Sequence, residues 1–387
     1  MKSDTFEILA RNCSQILSPT ELRSKLAENR PLRVKLGVDP TAPDIHLGHT
    51  VALTKLRQFQ EAGHQAILII GDFTAMIGDP SGRSVTRPHL THEEVLSNAQ
   101  TYQEQAFKIL DRDQTQIVFN GEWFQTMSFE EILRLNSRLT LQQLLQREDF
   151  KSRIEQGQPV RAHEIQYPIM QGWDSVQIRA DIELGGTDQL FNILVGRDLQ
   201  KEEGLPQQVA LLLPLLEGLD GTQKMSKSLG NAVGVADTPE MMFGKLLSIP
   251  DSIMSRYYEL LLCENLPLDV HPMQAKKDLA VRIVSCYHSA SDAKRALEDF
   301  DLRFSKRDLA HADLPTYSPT PNIRDLISLI TGAYANCFGI SKSRGDARRL
   351  IEQGSIQWQG EKITDIKAQL SSSGVLKLDK TRAVRVQ

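Results

Sequence analysis

The sequence predicts an α/β fold in which a parallel-sheet domain is followed by an α-helical domain and a small α+β domain. Three observations support this organisation. Strand-like and helix-like segments alternate through residues 1–235, residues 236–305 have helical patterns with almost no strand signal, and a compact basic region follows a proline-rich segment. Alternating strands and helices favour a parallel sheet that binds ligands at the carboxyl ends of its strands.

The predicted strands of the first domain are short apolar or alternating runs. Val34, Leu36 and Val38 alternate with less apolar neighbours, whereas residues 66–70 are apolar throughout, which is typical of a strand buried on both faces. The predicted strands are 32–38, 66–70, 116–119 and 178–184. Helical patterns are predicted over 1–30, 46–62, 91–110 and 128–145.

Domain limits follow from a change in composition. We place them at 1–235, 236–310 and 322–387, with a proline-rich linker at 311–321. The chain as a whole has a net charge of −4. Residues 322–387 contain eleven Lys or Arg and six Asp or Glu, so this region is +5 and the rest of the chain is −9. The mild total charge therefore conceals two regions of opposite sign.

Composition excludes several classes of protein. The 387 residues are 40% hydrophobic and 24% charged, which argues against a basic coat protein and a disordered acidic chain. The four cysteines are far apart in sequence, so we expect reduced thiols rather than disulfides or a zinc site. The longest apolar run, 209–216, is too short to cross a membrane and no signal-peptide pattern opens the chain. We therefore expect a cytoplasmic protein without a membrane partner.

The first candidate site is the loop 39–49 between a predicted strand and a predicted helix. The amide groups at a helix N-terminus attract phosphate, and His46 and His49 share one helix face. Gly48 would let a flat ring approach the backbone closely. On these residues alone, the two histidines could equally be a metal-binding pair or the solvated start of a helix.

The second candidate site is the loop 221–231, which contains the string Lys-Met-Ser-Lys-Ser at 224–228. Lys224 and Lys227, three residues apart in a Gly/Ser-rich loop, could hold a polyphosphate as two point charges. The alternative is an ordinary solvated surface loop.

Three further strings carry polar side chains. Tyr167, Gln171 and Asp174 would lie on one face of a helix, where Gln and Asp are poor candidates for a purely structural core. The string 184–189 (Leu-Gly-Gly-Thr-Asp-Gln) ends a predicted strand in a glycine-rich turn, and 78–83 (Gly-Asp-Pro-Ser-Gly-Arg) is a turn with a central carboxylate.

The His-Leu-Gly-His string at 46–49, followed by Lys-Met-Ser-Lys-Ser at 224–228, resembles the signature pair of class I aminoacyl-tRNA synthetases. The chain has neither a dinucleotide-binding nor a P-loop glycine motif, as in that family, whose Rossmann-like sheet binds ATP. With the strings at 167–174, 184–189 and 78–83, the chain is similar to bacterial-type tyrosyl-tRNA synthetases from about residue 30 to its end.

The resemblance implies roles for individual residues. The residues expected to meet the phosphates of ATP are Thr41, His46, His49, Lys224, Lys227, Arg83 and Arg87. Those expected around the rest of ATP are Gly48 beneath the adenine, Gly186 and Asp188 at the ribose, and Met225. The tyrosine pocket would comprise Gly37, Asp39, Thr74, Asp79, Asn120, Tyr167, Gln171, Asp174 and Gln189.

Within that pocket, Asp79, Tyr167 and Gln171 would hold the substrate ammonium group, Gln189 its carboxylate and Asp174 its phenolic hydroxyl. A tyrosine carboxylate is already ionised at neutral pH and needs no general base to attack ATP. Mg²⁺ would arrive with ATP rather than in a protein site. The resemblance implies that phenylalanine is rejected by roughly 10⁵ without editing, as is known for this family.

The chain departs from the family pattern at one position. Many members have a tyrosine two residues before the first-strand glycine, whereas this chain has Lys35 there. Lys35 would either point away from the pocket or pair with Asp174. Another branch of the family has the same Val-Lys-Leu-Gly strand together with Lys-Met-Ser-Lys-Ser.

The basic C-terminal region resembles the alpha-L RNA-binding module. Arg344 and Arg348 share a face of a short predicted helix, and a predicted hairpin follows with its turn at 359–360. The bare residues allow either an RNA-binding surface or a solvated amphipathic helix. The resemblance implies that Lys342, Arg344, Arg348 and Arg349 bind tRNA(Tyr) and that the protein is a homodimer.

Two other functions fit the sequence less well. A tryptophanyl-tRNA synthetase is disfavoured by the Tyr167, Gln171 and Asp174 pattern and by the basic C-terminal region. An inactive RNA-binding relative is disfavoured because the strings at 46–49, 224–228 and 78–82 are all intact.

Overall fold

The computed structural model describes residues 2–80, 90–305, 308–319, 325–368, 370 and 373–387. The chain divides into two compact units, Met1–Ala290 and Ser291–Gln387. The predicted domain limits at 235 and 310 and the linker at 311–321 do not coincide with this division. The helices that follow residue 235 belong, up to Ala290, to the same unit as the sheet.

The first unit is built on a six-stranded sheet. Its strands are β1 (Gln15–Leu17), β2 (Arg33–Val38), β3 (Gln65–Ile70), β4 (Thr115–Phe119), β5 (Ile182–Gly186) and β6 (Val209–Leu213). Their order is β1-β6-β5-β2-β3-β4, and all neighbours are parallel except β1, which runs antiparallel to β6 at one edge. The predicted parallel α/β sheet is confirmed.

The direction in which strands are added changes at β2. The chain goes from β2 to β3 and β4 on one side, and later returns to place β5 and then β6 on the other side. Such a switch point leaves a crevice between the carboxyl ends of two neighbouring parallel strands, here β2 and β5, and ligands bind in crevices of this kind.

Helices cover the sheet, whose strands β3 and β6 are almost entirely buried. The helices of the first unit are α1 (Lys2–Ala10), α2 (Pro19–Leu26), α3 (Leu47–Glu61), α4 (Thr74–Ile77), α5 (His92–Ala106), α6 (Gly121–Phe124), α7 (Phe129–Asn136), α8 (Leu141–Leu145), α9 (Glu148–Glu155), α10 (Ala162–Gln177), α11 (Leu190–Glu202), α12 (Pro239–Leu247), α13 (Met254–Leu262) and α14 (Pro272–Tyr287).

Three local predictions differ from the structure. The segment 1–30 contains the short strand β1 between two helices. The strand predicted at 178–184 begins only at Ile182, because α10 extends to Gln177. The helix predicted over 128–145 is two helices, since the Thr140 hydroxyl accepts the Gln143 amide and caps a second helix start.

The second unit combines helices with a five-stranded sheet. Its elements are α15 (Ala290–Phe300), β7 (Thr316–Tyr317), α16 (Leu326–Phe338), α17 (Arg344–Glu352), β8 (Gln357–Trp358), β9 (Glu361–Lys362), β10 (Gly374–Lys377) and β11 (Ala383–Val386). The sheet order is β7-β11-β10-β8-β9. The helix at 341–351 and the hairpin after it were both predicted. Strand β7 lies inside the predicted linker, where it pairs with β11.

A core of buried residues from α16, α17 and the sheet holds the second unit together, including Ile330, Tyr334, Ile351 and Leu376. No helix in the described part of the chain is both long enough and apolar enough to span a bilayer.

Candidate active site

A cleft of about 320 Å³ opens at the carboxyl ends of β2 and β5, at the switch point of the sheet. Sixteen of the predicted site residues line it: Gly37, Asp39, Thr41, His46, Gly48, His49, Thr74, Asp79, Tyr167, Gln171, Asp174, Gly186, Asp188, Gln189, Lys224 and Met225. Asn120 lies fully buried behind the cleft, and Lys227 lies beyond Met225 on the same loop. Arg83 and Arg87 lie outside the described residues.

Asp39, the first residue after β2, is held from two helices. The Tyr167 hydroxyl on α10 donates a hydrogen bond to Asp39 Oδ2 at 2.9 Å, and the Thr74 hydroxyl on α4 donates to Oδ1 at 2.8 Å. Gly71 is required here, because a Cβ at that position would come within 2.2 Å of both Asp39 and Thr74. Helices α4 and α10 thus fix one carboxylate at the floor of the cleft.

The two histidines form a stacked pair at the start of α3. Their ring centroids are 3.8 Å apart, and the His46 backbone N–H donates to His49 Nδ1 at 3.2 Å. Burial lowers the pKa of His46 to about 2, with further contributions from His49 and Lys227, and burial lowers the pKa of His49 to about 4. Both imidazoles are therefore neutral at pH 7 and can act as hydrogen-bonding groups rather than as cations.

Gly48 keeps the surface beside this pair flat. A Cβ added at Gly48 would come within 3.0 Å of the His46 ring and 3.5 Å of Met225 Cβ. A side chain at position 48 would therefore have to displace the His46 ring.

Helix α5 anchors the loop that carries the histidines. The buried Gln105 side chain accepts the Ile45 backbone N–H at 2.7 Å and donates to Asp44 Oδ1 at 3.1 Å. Asn98 of the same helix donates to the Pro40 carbonyl at 3.0 Å. The loop is thus fixed by side chains that are far from it in sequence.

The loop 221–231 reaches the histidines because the chain that follows it pairs with them. Leu47 N–H donates to the Val233 carbonyl at 3.0 Å, and Val235 N–H donates to the Ile45 carbonyl at 2.9 Å. This short antiparallel contact, centred on His46 and Gly234, joins the histidine string to the segment that follows the lysine loop.

Both lysines of that loop contact carboxylates. Lys224 Nζ donates to Asp188 Oδ2 at 3.1 Å, and Lys227 Nζ donates to Asp44 Oδ2. All four of these side chains are 22–39% exposed. Because pairs this exposed contribute little stability, an anionic ligand can displace either contact at low cost.

Asn231 holds the lysine loop in shape. Its Oδ1 accepts the Ser226 backbone N–H at 2.8 Å, and its Nδ2 donates to the Lys224 carbonyl at 3.2 Å and to Asp220. Asp220 also accepts the Thr222 and Gln223 amides, and these hydrogen bonds lower the pKa of its carboxyl. The side chain of Asn231 is therefore the hub of this loop.

Asp79 lies at one side of the cleft within a polar network. Gln189 Nε2 donates to Asp79 Oδ2 at 2.9 Å, and the buried Arg147 guanidinium lies 3.5 Å from Oδ1. Asn192 links Gln189 to Gln171 by donating to their side-chain oxygens at 3.0 and 2.8 Å. A carboxylate and neutral amide oxygens facing one space are suited to a substrate ammonium group.

Asp174 lies at the buried end of the cleft. Trp123 Nε1 donates to its Oδ1 at 3.1 Å and Asn120 Nδ2 donates to its Oδ2 at 3.3 Å. Burial raises the pKa of the Asp174 carboxyl to about 7, although Lys35 and both hydrogen bonds act in the opposite direction. A carboxylate here can accept a hydrogen bond from a ligand hydroxyl.

Lys35 does not pair with Asp174, which was one of the two alternatives left open by the sequence. It lies outside the cleft lining, is fully buried, and forms an ion pair with Glu183 on the neighbouring strand β5 at 2.9 Å.

Sequence reasoning assigned no role to Asp44, Arg147, Asn192 and Asn231. Asn192 could have been found, because it lies three residues after Gln189 at the start of α11 and so faces the same side. Asn231 lies at the end of the lysine loop, within the string singled out. Arg147 joins the network only through the folding of the chain, and nothing near it in sequence marks it.

The predicted RNA-binding residues lie in the second unit. Arg344, Arg348 and Arg349 are exposed on α17, while Ala347 and Ile351 of the same helix are buried. Arg344 contacts Asp325 at 3.3 Å, and Lys342 Nζ lies 5.6 Å from the centre of the Tyr334 ring. Helix α17 thus presents basic groups on one face and packs with the other. Within the described residues, no group of three or more His, Cys, Asp or Glu side chains is arranged to hold a metal ion.

Comparisons with known proteins show the family to which the chain is similar. Residues 27–314 match the family model described as tRNA synthetases class I (W and Y). The chain is 47% identical over 400 residues to the tyrosine–tRNA ligase of Carboxydothermus hydrogenoformans, covering 98% of this chain and 97% of that protein. It is 45% identical over 381 residues to that of Aquifex aeolicus, covering 97% and 96%.

Solved structures agree at the level of the fold. The tyrosyl-tRNA synthetase of Archaeoglobus fulgidus, solved with L-tyrosine, superposes with a TM-score of 0.62 at 23% identity, covering 77% of this chain and all of that one. A C-terminally truncated mitochondrial tyrosyl-tRNA synthetase from Aspergillus nidulans gives a TM-score of 0.65 at 20% identity, covering 78% and 94%.

Proposed function

The chain belongs to the tyrosyl-tRNA synthetases of the class I tRNA synthetase family, and from that premise we propose how its cleft carries out the reaction. The enzyme activates L-tyrosine with ATP, releasing pyrophosphate, and then transfers the tyrosyl group to the 3′-terminal adenosine of tRNA. Each substrate has its own group of residues in the cleft.

Tyrosine occupies the inner part of the cleft. Asp79, Gln171 and the Tyr167 hydroxyl surround its ammonium group, Gln189 contacts its carboxylate, and Asp174 accepts its phenolic hydroxyl. The assignment is supported by the spacing of these groups along one cleft, with Asp174 at its buried end and Asp79 beside Gln189. Gly37, Asp39, Thr74 and Asn120 complete the pocket, the last three through the hydrogen bonds that join them.

ATP occupies the outer part, over the start of α3. Gly48 and Met225 provide the surface for the adenine, and Gly186 and Asp188 face the ribose. The neutral His46 and His49, together with Thr41, donate hydrogen bonds to the phosphates. Lys224 and Lys227 leave their carboxylate partners and meet the pyrophosphate, with Arg83 and Arg87 also contributing. Mg²⁺ enters as a complex with ATP.

The chemistry needs orientation and cations rather than a base. The tyrosine carboxylate is ionised at neutral pH and attacks the α-phosphorus as pyrophosphate leaves. Negative charge develops on the leaving pyrophosphate, where cations held in place stabilise the transition state more than the ground state. The neutral state of both histidines fits a reaction that transfers no proton in its first step.

We propose that tRNA(Tyr) contacts Lys342, Arg344, Arg348 and Arg349 of the second unit, and that the enzyme acts as a homodimer. Exposed apolar side chains support a contact with a second copy, since Phe129, Leu133 and Leu141 are 74%, 52% and 56% exposed. A cytoplasmic location is consistent with the use of ATP and tRNA and with four free thiols. We also propose a functional division into a catalytic domain at 1–235, a helical domain at 236–310, a linker at 311–321 and an RNA-binding domain at 322–387.

One observation carries the assignment of the two substrates. The short antiparallel contact between His46 and Gly234 joins the histidine string to the segment that follows the lysine loop on one side of the cleft, and Asp79, Gln189 and Asp174 line the other. An adenylate can therefore span the two regions.

Two matched variants test it by ATP–pyrophosphate exchange. Asp79→Asn should raise the KM for tyrosine and leave the KM for ATP unchanged, whereas Asp188→Asn should do the reverse. If each variant instead changed both constants equally, the division of the cleft would be wrong. Exchange with tryptophan in place of tyrosine should be absent in wild type and in both variants, and its presence would favour the tryptophan enzyme.

A further inference from the structure

Lys35 is a fully buried lysine whose three N–H donors are all used. Its Nζ donates to the Gln171 backbone carbonyl at 2.9 Å, to the Ser175 hydroxyl at 2.7 Å, and to the Glu183 carboxylate at 2.9 Å. None of its side chain is exposed to solvent. An ammonium group has three donors, so this site satisfies Lys35 completely.

Glu183 is equally enclosed. It faces Lys35 directly in the register of β2 and β5, and it also accepts hydrogen bonds from Ser175, Gln171 and Gln208. A buried ion pair of this kind is seldom favourable compared with well-packed apolar side chains, because both charges lose their hydration. Stability alone therefore does not explain why the chain has this ion pair beside the cleft.

Two of the hydrogen bonds of Lys35 are made with helix α10. Gln171 and Ser175, both bonded to Lys35, lie on either side of Asp174 along the helix. Lys35 thus fixes the helical turn that carries Asp174 and places a positive charge beneath it. The ammonium group of Lys35 lies outside the cleft, so a tyrosine bound in the cleft could not contact it.

We propose that Lys35 is a positioning residue for tyrosine specificity, which keeps Asp174 ionised as the acceptor of the substrate hydroxyl without touching the substrate. This rests on the proposed role of Asp174. A charge-assisted hydrogen bond to an ionised carboxylate is about twice as strong as a neutral one, so the ionised form binds tyrosine more tightly.

The groups that face Asp174 come from several elements. Lys35 on β2 lowers the pKa of Asp174 and Glu183 on β5 raises it, while Asn120 and Trp123, from the segment after β4, lower it by hydrogen bonding. Thr74 on α4 acts through Asn120, whose side chain donates to it at 3.0 Å. The two charged neighbours therefore act in opposite directions, and their removal should have opposite effects.

The protonation of Asp174 determines whether the KM for tyrosine rises or falls with pH. The KM for tyrosine should rise as pH falls through the pKa of Asp174, because the carboxylate takes up a proton. Loss of Lys35 moves this rise to higher pH, and loss of Glu183 alone moves it to lower pH. The turnover number at saturating tyrosine and the KM for ATP should not show the same pH dependence.

The experiment measures the KM for tyrosine by pyrophosphate exchange between pH 5.5 and 8.5 in four proteins: wild type, Lys35→Met/Glu183→Gln, Glu183→Gln and Asp174→Asn. The double variant removes both charges together, so no unpaired charge is left buried. Because Lys35 has the larger of the two opposite effects on the pKa of Asp174, we expect the rise in KM of the double variant at higher pH than in wild type. Glu183→Gln should show the rise at lower pH, and Asp174→Asn should show none.

The outcomes separate the inference from the function on which it rests. If Asp174→Asn abolishes the pH-dependent rise but the double variant and Glu183→Gln leave it where it is in wild type, Lys35 has only a structural role and the inference is wrong. If the rise persists in Asp174→Asn, Asp174 is not the titrating acceptor, and both its proposed role and the inference fail.

Discussion

Lys227 and Asp44 form a hydrogen-bonded ion pair although they are 183 residues apart in sequence. Asp44 precedes the histidine string, and Lys227 is the second lysine of the loop 221–231. The hydrogen bond from Lys227 is the main reason why the pKa of the Asp44 carboxyl is lowered. Without ATP, this pairing gives the lysine an anionic partner beside the place where the pyrophosphate is expected.

Replacing Lys227 should slow the activation step. If Lys227 binds the leaving pyrophosphate as proposed, Lys227→Ala removes a cation from the place where negative charge develops, and the rate of adenylate formation should fall on the order of 10²–10³-fold. The KM for tyrosine should stay within about twofold, since Lys227 is not one of the residues that line the cleft where tyrosine is proposed to bind. Single-turnover measurements of adenylate formation check the rate, and an unchanged rate would remove Lys227 from the mechanism.

Asp44→Asn provides the matched variant. It keeps the hydrogen bond with Gln105 possible but removes the negative charge that competes with ATP for Lys227. The KM for ATP should therefore fall a few-fold, while the turnover number stays close to wild type. A higher KM for ATP would mean that Asp44 positions Lys227 for the substrate instead of competing with it.

The neutral histidines predict the pH dependence of turnover. The pKa values of about 2 for His46 and about 4 for His49 lie below the usual value of 6.5, because burial disfavours the charged rings. Neither ring changes protonation between pH 6 and 8. The turnover number for pyrophosphate exchange at saturating substrates should therefore be constant over this range. A decline in the turnover number centred near pH 6.5 that is absent in His49→Asn would show that His49 titrates in this range and would contradict the prediction.

Sequence patterns were informative where function depends on local spacing. The histidine string, the lysine loop and the one-sided Tyr167, Gln171 and Asp174 pattern each identified residues that line the cleft, because each lies on one element or one loop. Contacts between elements that are distant in sequence leave no such local pattern. The Arg147 contact with Asp79 and the Lys35 pair with Glu183 depend on which strands and helices become neighbours.

The fold was predictable to a similar degree. Apolar and alternating runs identified four of the five parallel strands, β2 to β5, since burial leaves a clear pattern, but the apolar run that forms β6 was not predicted as a strand. The edge strand β1 escaped prediction because it has only three residues, none of them fully buried. Strand β7 falls within the predicted linker because its two residues lie among prolines and pair only with a strand near the end of the chain.

Asn231 should control the shape of the lysine loop. In Asn231→Ala the Ser226 amide loses its acceptor, at a cost of about 1–3 kcal/mol if it stays buried, so the loop should rearrange. The KM for ATP should rise and the activation rate should fall about tenfold, with the KM for tyrosine unchanged. Gln223→Ala, an exposed position in the same loop, is the control and should behave as wild type. If Asn231→Ala also behaved as wild type, the hydrogen bonds of Asn231 would not be needed to shape the loop.

The exposed arginines of α17 should affect tRNA charging but not tyrosine activation. Arg348→Gln/Arg349→Gln removes two exposed charges, of which Arg349 contacts Asp346 of the same helix, so folding and pyrophosphate exchange should stay close to wild type. If both arginines bind phosphates, kcat/KM for tRNA should fall at least tenfold, and its dependence on the logarithm of salt concentration should weaken by about one for each phosphate no longer bound. The control, Lys151→Gln/Lys201→Gln, removes two exposed charges from the first unit and should leave charging intact. Equal losses in the two variants would point to long-range attraction by net charge and against a specific site on α17.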